Sequence, residues 1–292
     1  MRRAYGLRKV GHGGTLDPAV TGVLPIAIGP ATRLLPYLRG EKVYQAVVQL
    51  GVRTSTDDLE GEVLEHRAPP PLDTAALEEA LAGFRGEILQ RPPTVSAVHV
   101  GGERAYVRAR RGESMELEPR PITIHSLQLL GWDPAGARLE LEVRCSAGTY
   151  IRSLARDLGE RLGCGGALAR LRRAETLGFD LSTAVALDRL ACAPPPPLLD
   201  PLAALGHLER RQLRADELTS WRCGRALPLQ PGADPAAAPS PSRADRPAEV
   251  QAAGAPDAPA FAMLYPDGTL AGIARLDPVG LLRPRLVFDA AG

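Results

Sequence analysis

Three glycines, a histidine and an aspartate fall within the ten residues GHGGTLDPAV (11–20), near the start of the chain. Gly11, Gly13 and Gly14 permit positive φ or a close backbone approach to a bound molecule, and they draw His12 and Asp17 into one short irregular segment. A carboxylate so placed can attack as a nucleophile, the chemistry of a hydrolase acting on a small molecule. The bland alternative is structural: Asp followed by Pro opens helices, with the Asp17 carboxylate as N-cap and Pro18 at the first helical position. The stretch lacks the lysine followed by Ser or Thr of a phosphate-binding P-loop, and it does not match a dinucleotide fingerprint. Taken alone it marks a site and leaves the chemistry open.

The chain has 292 residues, 45% hydrophobic and 24% charged, which predicts a soluble globular protein of one large or two smaller domains. It holds no apolar run of membrane-helix length, and the opening MRRAYGLRKV lacks the apolar middle of a signal peptide, so a cytoplasmic location is expected. Cys145, Cys164, Cys192 and Cys223 lie far apart, without ligand spacing, and read as ordinary buried or partly buried thiols rather than a zinc site or disulfide framework. The net charge of +1 hides an uneven distribution. Residues 1–53 hold eight basic side chains against Asp17 and Glu41, and residues 144–173 hold seven arginines against Asp157 and Glu160. Such segments can converge on one face and draw a polyanion, which makes nucleic acid a candidate partner. A general preference for arginine and alanine, set by genome composition, is the competing explanation.

Several elements can hold the loop. ATRLLPYL (31–38) has helical character, and VYQAVVQLGV (43–52) is β-branched with partial alternation. DTAALEEALAGFRG (73–86) predicts a helix with Asp73 or Thr74 as N-cap and Gly86 just beyond its end. ARLELEVRCS (137–146) alternates as a half-buried strand should, and in 148–163 Ile151, Leu154, Leu158 and Leu162 form one helical stripe. Without a regular βαβ rhythm, the pattern predicts an α+β domain on a mixed or antiparallel sheet over residues 1–190. The proline-rich stretch 191–201 is the expected linker. Residues 202–292 read as a small β domain interrupted at 230–260 by an insert that has little apolar surface to offset its chain entropy and is expected to be disordered.

The segment KVGHGGTLDPAVTGVLPIAIGPATR (9–33) resembles the catalytic segment of the TruB family of bacterial tRNA pseudouridine synthases, a pattern shared in looser form with dyskerin-type RNA-guided enzymes. The resemblance continues through VYQAVVQLGVRTSTDDLEGEV (43–63), QRPPTVSAVHVGGERAYVRAR (90–110), RCSAGTYIRSLARDLGERLG (144–163) and LARLRRAETLGF (168–179), in the family's order. It implies an isomerase of tRNA processing and RNA modification, which converts a T-loop uridine of tRNA, position 55, to pseudouridine. The C1′–N1 bond breaks, the freed base turns, and C5 bonds to C1′. Because the leaving base re-enters, the reaction needs neither metal nor cofactor. One carboxylate is the minimum, either as nucleophile at C1′, as in a retaining glycosidase, or as a base removing a sugar proton. The resemblance gives that role to Asp17, with both routes open.

By the same resemblance, Tyr44 is the active-site tyrosine, suited to stacking on the extruded uracil and to proton exchange at C5; by residue type alone it is a half-buried strand tyrosine. Arg152 matches the arginine that pairs with the catalytic aspartate, whereas by position alone it is a solvated helix arginine. His12 matches the histidine that fills the space vacated by the flipped base, and Tyr150 and Asp58 match positions near the site. The arginine-rich segments would supply phosphate contacts to the tRNA elbow, with Arg170, Arg172 and Arg173 of RLRR and with Arg108, Arg110 and Arg111 as candidates. The chain is expected to act as a monomer with no membrane contact, and its C-terminal β domain resembles the small RNA-binding PUA-like module.

The sequence departs from the family in two places. Family members carry, before the position of Met1, a strand and turn with the pattern Lys-Pro-x-Gly-x-Thr-Ser, so the expectation is either a misassigned start or a core lacking one piece, with an exposed sheet edge. Val95 and His99 stand where an aromatic residue and a lysine are commoner. A different class of reading is a non-catalytic tRNA-binding or tRNA-folding protein that lost turnover with that segment; the presence of Asp17, Tyr44 and Arg152 argues against it. The small-molecule hydrolase leaves the arginine clusters without a purpose.

Overall fold

In the computed structural model the described residues are 1–229 and 258–288, except 97, 114, 116 and 193. The chain opens with a short helix, Arg2–Tyr5 (α1), and a hairpin-like pair, Val10–His12 (β1) and Ile26–Ile28 (β3), which flank the glycine-rich loop and the two-residue strand Thr21–Gly22 (β2). A 3-10 segment, Gly29–Tyr37, leads into Lys42–Leu50 (β4). The small ladder Val52–Thr54 (β5) and Val63–His66 (β6) follows, then Thr74–Ala82 (α2), Gly86–Gln90 (β7), His99–Val100 (β8), Glu103–Arg104 (β9) and Ala105–Arg110 (α3). Arg120–Asp133 (β10), Arg138–Cys145 (β11), Ile151–Arg161 (α4), Gly166–Thr176 (β12) and Phe179–Asp180 (β13) complete the first half.

Strand order in the main sheet is β13-β12-β4-β11-β10-β7, antiparallel throughout, with β2 added in parallel to β12. The alternation in β4 explains its central place: Tyr44, Ala46, Val48 and Leu50 face one side and are buried. Leu139, Leu141, Val143 and Cys145 of β11 continue that face, and α4 covers it with Ile151, Leu154, Ala155 and Leu158. Leu162, read as part of the stripe, is only half-buried beyond the last turn. The helix sits close because Gly159 lies directly against the Gly165–Gly166 backbone, where a Cβ would overlap main-chain atoms. Helix α2 is capped as expected, the Ala76 amide donating to Asp73 Oδ1 at 2.8 Å. It stops at Gly83 rather than next to Gly86; the Arg161 guanidinium packs where a Cβ at Gly83 would stand, and Gly86, at φ +89°, opens β7 instead.

A second sheet has the order Glu209–Gln212 (β14), Ala260–Leu264 (β16), Leu270–Leu276 (β17), Leu281–Val287 (β18) and Leu227–Pro228 (β15), with β14 and β16 parallel and the rest antiparallel. Trp221 of the short helix Leu218–Arg222 (α5) packs with Phe261, Met263, Tyr265 and Leu282 at its centre. Most of the insert expected to be disordered, residues 230–257, lies outside the described residues, and Ala260 already belongs to β16. Of the cysteines, Cys145 and Cys164 are buried, but Cys192 and Cys223 are exposed, which corrects the reading of all four as buried or partly buried; both exposed thiols follow the last turn of a short surface helix. No described helix is long and apolar enough to cross a membrane.

The helix-to-strand contact at Gly159 gives a direct test. Gly159→Ala adds a methyl group with no room, and is expected to destabilise the protein by about 1–3 kcal/mol despite alanine's better helix propensity, read as a lower urea midpoint.

Candidate active site

Asp17 does not cap a helix. Its carbonyl accepts from the Val20 amide at 3.0 Å, closing a turn through Pro18 and Ala19, after which the chain enters β2 on the edge of β12. The turn leaves the carboxylate unused by backbone, half in solvent, with Oδ2 3.0 Å from Arg152 Nε. Two glycines make this path possible. Gly14 takes φ +126°, and Gly22, at φ +103°, lies so close to the Arg173 backbone that any Cβ would collide.

Arg152 is the second residue of α4, and its side chain is 7% exposed, so it is not the solvated helix arginine that its position alone favours. Nη1 donates to the Thr56 carbonyl and Nη2 to the Val95 carbonyl, both at 3.0 Å, and Asp58 Oδ2 stands 3.6 Å from Nη1. Two loops therefore hold the guanidinium and turn its Nε edge toward Asp17. Asp58 is itself fixed, Oδ1 accepting from Thr56 Oγ1 at 2.6 Å and from the Glu60 amide at 3.1 Å. One turn further along α4, Arg156 grips the same loops through Asp57 Oδ2 and the Arg91 carbonyl, each at 2.8 Å. Burial raises the Asp57 carboxyl above its ordinary pKa, with Arg156 opposing the shift.

Tyr44 is buried on β4, and burial pushes its hydroxyl pKa upward; the Cys145 thiol adds to this and the Arg173 guanidinium works against it. Tyr150 immediately precedes α4. Its main chain is pinned by Gln90, which accepts from the Tyr150 amide at 2.8 Å and donates to its carbonyl at 3.0 Å. Burial raises this phenol too. The Asp17 charge adds a small upward push on both phenols, so both lie within its electrostatic reach and stay protonated at neutral pH. His12 is exposed in β1 opposite Ile26, and no hydrogen bond or ion pair joins it to Asp17.

The expected phosphate contacts divide. Arg170 and Arg172 point outward from β12, but Arg173 is fully buried. Its Nε donates to the Val23 carbonyl at 2.8 Å, and its Nη atoms reach the Gly14 and Thr15 carbonyls at 3.2 and 3.4 Å. Arg173 is thus a strut under the Asp17 loop, and the expectation that it binds phosphate is corrected: it has no surface to offer. Arg108 and Arg111 are bound by Glu113, and Arg111 also by Glu103, so these bases are largely neutralised where they stand, against their expected role. The sequence reading missed Gln90, Thr56 and Arg156, although all lie within the motifs quoted above. No group of three or more His, Cys, Asp or Glu side chains among the described residues could hold a metal.

A family model described as TruB family pseudouridylate synthase (N terminal domain) matches residues 2–151, and one described as tRNA pseudouridylate synthase B C-terminal domain matches residues 152–194. A protein named tRNA pseudouridine synthase B from Parasynechococcus marenigrum (strain WH8102) is 58% identical over 292 residues, covering 100% of this chain and 92% of that protein. Another of that name, from Prochlorococcus marinus (strain MIT 9313), is 50% identical over 296 residues with the same coverage. Among solved structures, an H/ACA ribonucleoprotein bound to a substrate RNA containing 2′-deoxyuridine includes a chain that superposes with a TM-score of 0.65 at 20% identity, covering 99% of this chain and 78% of that one. At that identity the likeness shows the fold.

The two neighbouring arginines of β12 should behave oppositely. Arg173→Met removes the donor from three loop carbonyls, that of Val23 buried, and is expected to cost about 2–4 kcal/mol in thermal or urea unfolding. Arg172→Ala, on the outer face, should stay within about 0.5 kcal/mol of the parent.

Proposed function

The chain belongs to the TruB family of pseudouridylate synthases, and from that premise we propose that it isomerises the T-loop uridine at position 55 of tRNA, with Asp17 as the reacting carboxylate. The observation that carries the assignment is the Asp17–Arg152 pair at 3.0 Å: a half-exposed carboxylate held by a buried cation. The pairing holds the carboxylate in place and aims it away from the loop backbone. As nucleophile it would bond to C1′ as the C1′–N1 electron pair leaves with the base; as base it would take a sugar proton. In the first route C5 displaces the carboxylate from C1′, and in the second the sugar proton is returned as C5 bonds to C1′; in both C5 then gives up its proton and N1 takes one, so the product is an isomer of the substrate.

Tyr44, buried and protonated, offers a ring face to an extruded uracil and a hydroxyl within reach of the Asp17 charge. Extraction of the base from the T-loop stack costs a few kcal/mol, which contacts along the RNA backbone must supply. Arg170 and Arg172 suit that task. His12, exposed at the rim, fits the space left by the flipped base. Residues 1–190 form the catalytic unit, and the second sheet serves as the PUA-like docking module. The convergence of Asp17, Arg152, Asp58, Tyr44 and Tyr150 favours turnover over a purely tRNA-binding or tRNA-folding role.

Asp17→Asn should abolish release of tritium from C5 of uracil-labelled, unmodified tRNA while leaving tRNA affinity within about threefold, because the carboxylate acts on base and sugar rather than on phosphate. Equal loss of binding and turnover would count against the assignment. Arg170→Ala combined with Arg172→Ala should weaken binding and make the plot of log affinity against log salt shallower by about one to two.

A further inference from the structure

Lys42 opens β4, two residues before Tyr44, so the two side chains leave the same face of the sheet. The register fixes its neighbours. Lys42 lies opposite Cys145 of β11 and Thr176 of β12, and Tyr44 lies opposite Val143 and Arg173. The Lys42 row therefore adjoins the row whose Arg173 supports the Asp17 loop.

The Lys42 side chain is half-buried, and no carboxylate, carbonyl or hydroxyl among the described residues pairs with its ammonium. Glu41, its neighbour in sequence, binds Arg144 and faces His125 instead. Burial holds the ammonium's pKa below the ordinary lysine value and Arg173 pushes the same way. Beside it, the Thr176 hydroxyl is fully buried without a hydrogen-bond partner. An unpaired, desolvated cation is costly in a folded chain, and one anionic oxygen brought by a ligand would relieve it. The surrounding charge agrees: Arg152, Arg173 and Lys42 stand against the carboxylates of Asp17 and Asp58.

Resting on the isomerase reading above, we propose that Lys42 is a substrate-binding residue whose ammonium meets an anionic oxygen of the target nucleotide. Two oxygens share that chemistry. One belongs to the phosphate beside the extruded uridine. The other is a uracil oxygen, O2 or O4, which gains charge when the C1′–N1 electron pair passes to the base.

Lys42→Met and Lys42→Arg would be compared with the parent chain by thermal melting, tRNA affinity across a salt series, and single-turnover tritium release. Lys42→Met is expected to melt at the parent temperature or above it, since it removes an unpaired desolvated charge, and yet to lose function about tenfold or more. Loss in affinity with a salt slope shallower by about one would identify the phosphate. Loss in release rate at unchanged affinity would identify the uracil. Lys42→Arg, which keeps the charge, should retain part of whichever is lost. A Lys42→Met protein that melts lower and loses activity in proportion would overturn the inference in favour of a structural lysine, as would parental rate and affinity. No release from the parent chain would overturn the isomerase reading together with this one, whereas parental release matched by Lys42→Met overturns this one alone.

Discussion

A guanidinium taken out of water needs acceptors on every edge, and Arg152 imposes that requirement on the whole site. Desolvation of such an ion costs several kcal/mol, recovered only where geometry satisfies its donors. Two carbonyls, Thr56 and Val95, meet part of the need without charge, and Asp58 at 3.6 Å meets part with it. The closest carboxylate is Asp17, the partner that remains half in solvent. A buried cation thus holds an accessible anion, and the anion keeps a free edge because its loop makes a turn rather than a helix. Had Pro18 begun a helix, the carboxylate would have been spent on backbone amides.

Everything that locates Arg152 comes from one face of α4. Gly159 lets the helix sit directly on the backbone that opens β12, which sets its depth. From that depth Ser153 reaches the Arg91 carbonyl at 2.8 Å, and Arg156 reaches both Asp57 and Arg91. The loops that receive Arg152 are therefore docked by the helix that carries it. Arg173 does the corresponding work from the sheet, bonded to three carbonyls of the segment that contains Asp17. The two arginines approach that segment from a helix and from a strand, so the carboxylate is fixed from two independent elements.

How much of this was legible beforehand depends on the kind of information each residue carries. The strands β4 and β11 and the stripe of α4 follow from periodicity, because a half-buried element writes its own pattern. Asp17, Tyr44 and Arg152 were legible through the family resemblance, since a lone carboxylate, a strand tyrosine and a helix arginine are each unremarkable by type. Arg173 was misread for a physical reason. Arginines 170, 172 and 173 look alike in sequence, but a strand alternates, and the irregular register between Leu168 and Arg170 sends Arg173 inward with Leu171. The pairing of Arg108 and Arg111 with Glu103 and Glu113 was hidden similarly, since charge counts do not show which acids fold back on which bases.

The second sheet is not mechanically separate from this site. The segment Gly29–Tyr37 follows the Asp17 hairpin directly, and its Leu34 is buried with Leu205, Ile273 and Leu286 of the second half. Arg33 donates to the Val287 carbonyl at 2.9 Å, and His207 Nε2 donates to the Tyr37 carbonyl at 2.9 Å. At its other end the hairpin is closed by Gly29 donating to the Lys9 carbonyl and Gly13 to the Pro25 carbonyl, each at 2.8 Å. A displacement of the second sheet would therefore pass through Leu34 into the hairpin that carries Asp17. Since close-packed interfaces transmit displacement rather than absorb it, the second sheet joined in this way must hold one fixed orientation for Asp17 to stay on Arg152. The short apolar seam at Leu34 is thus as much a part of the site's support as the two buried arginines.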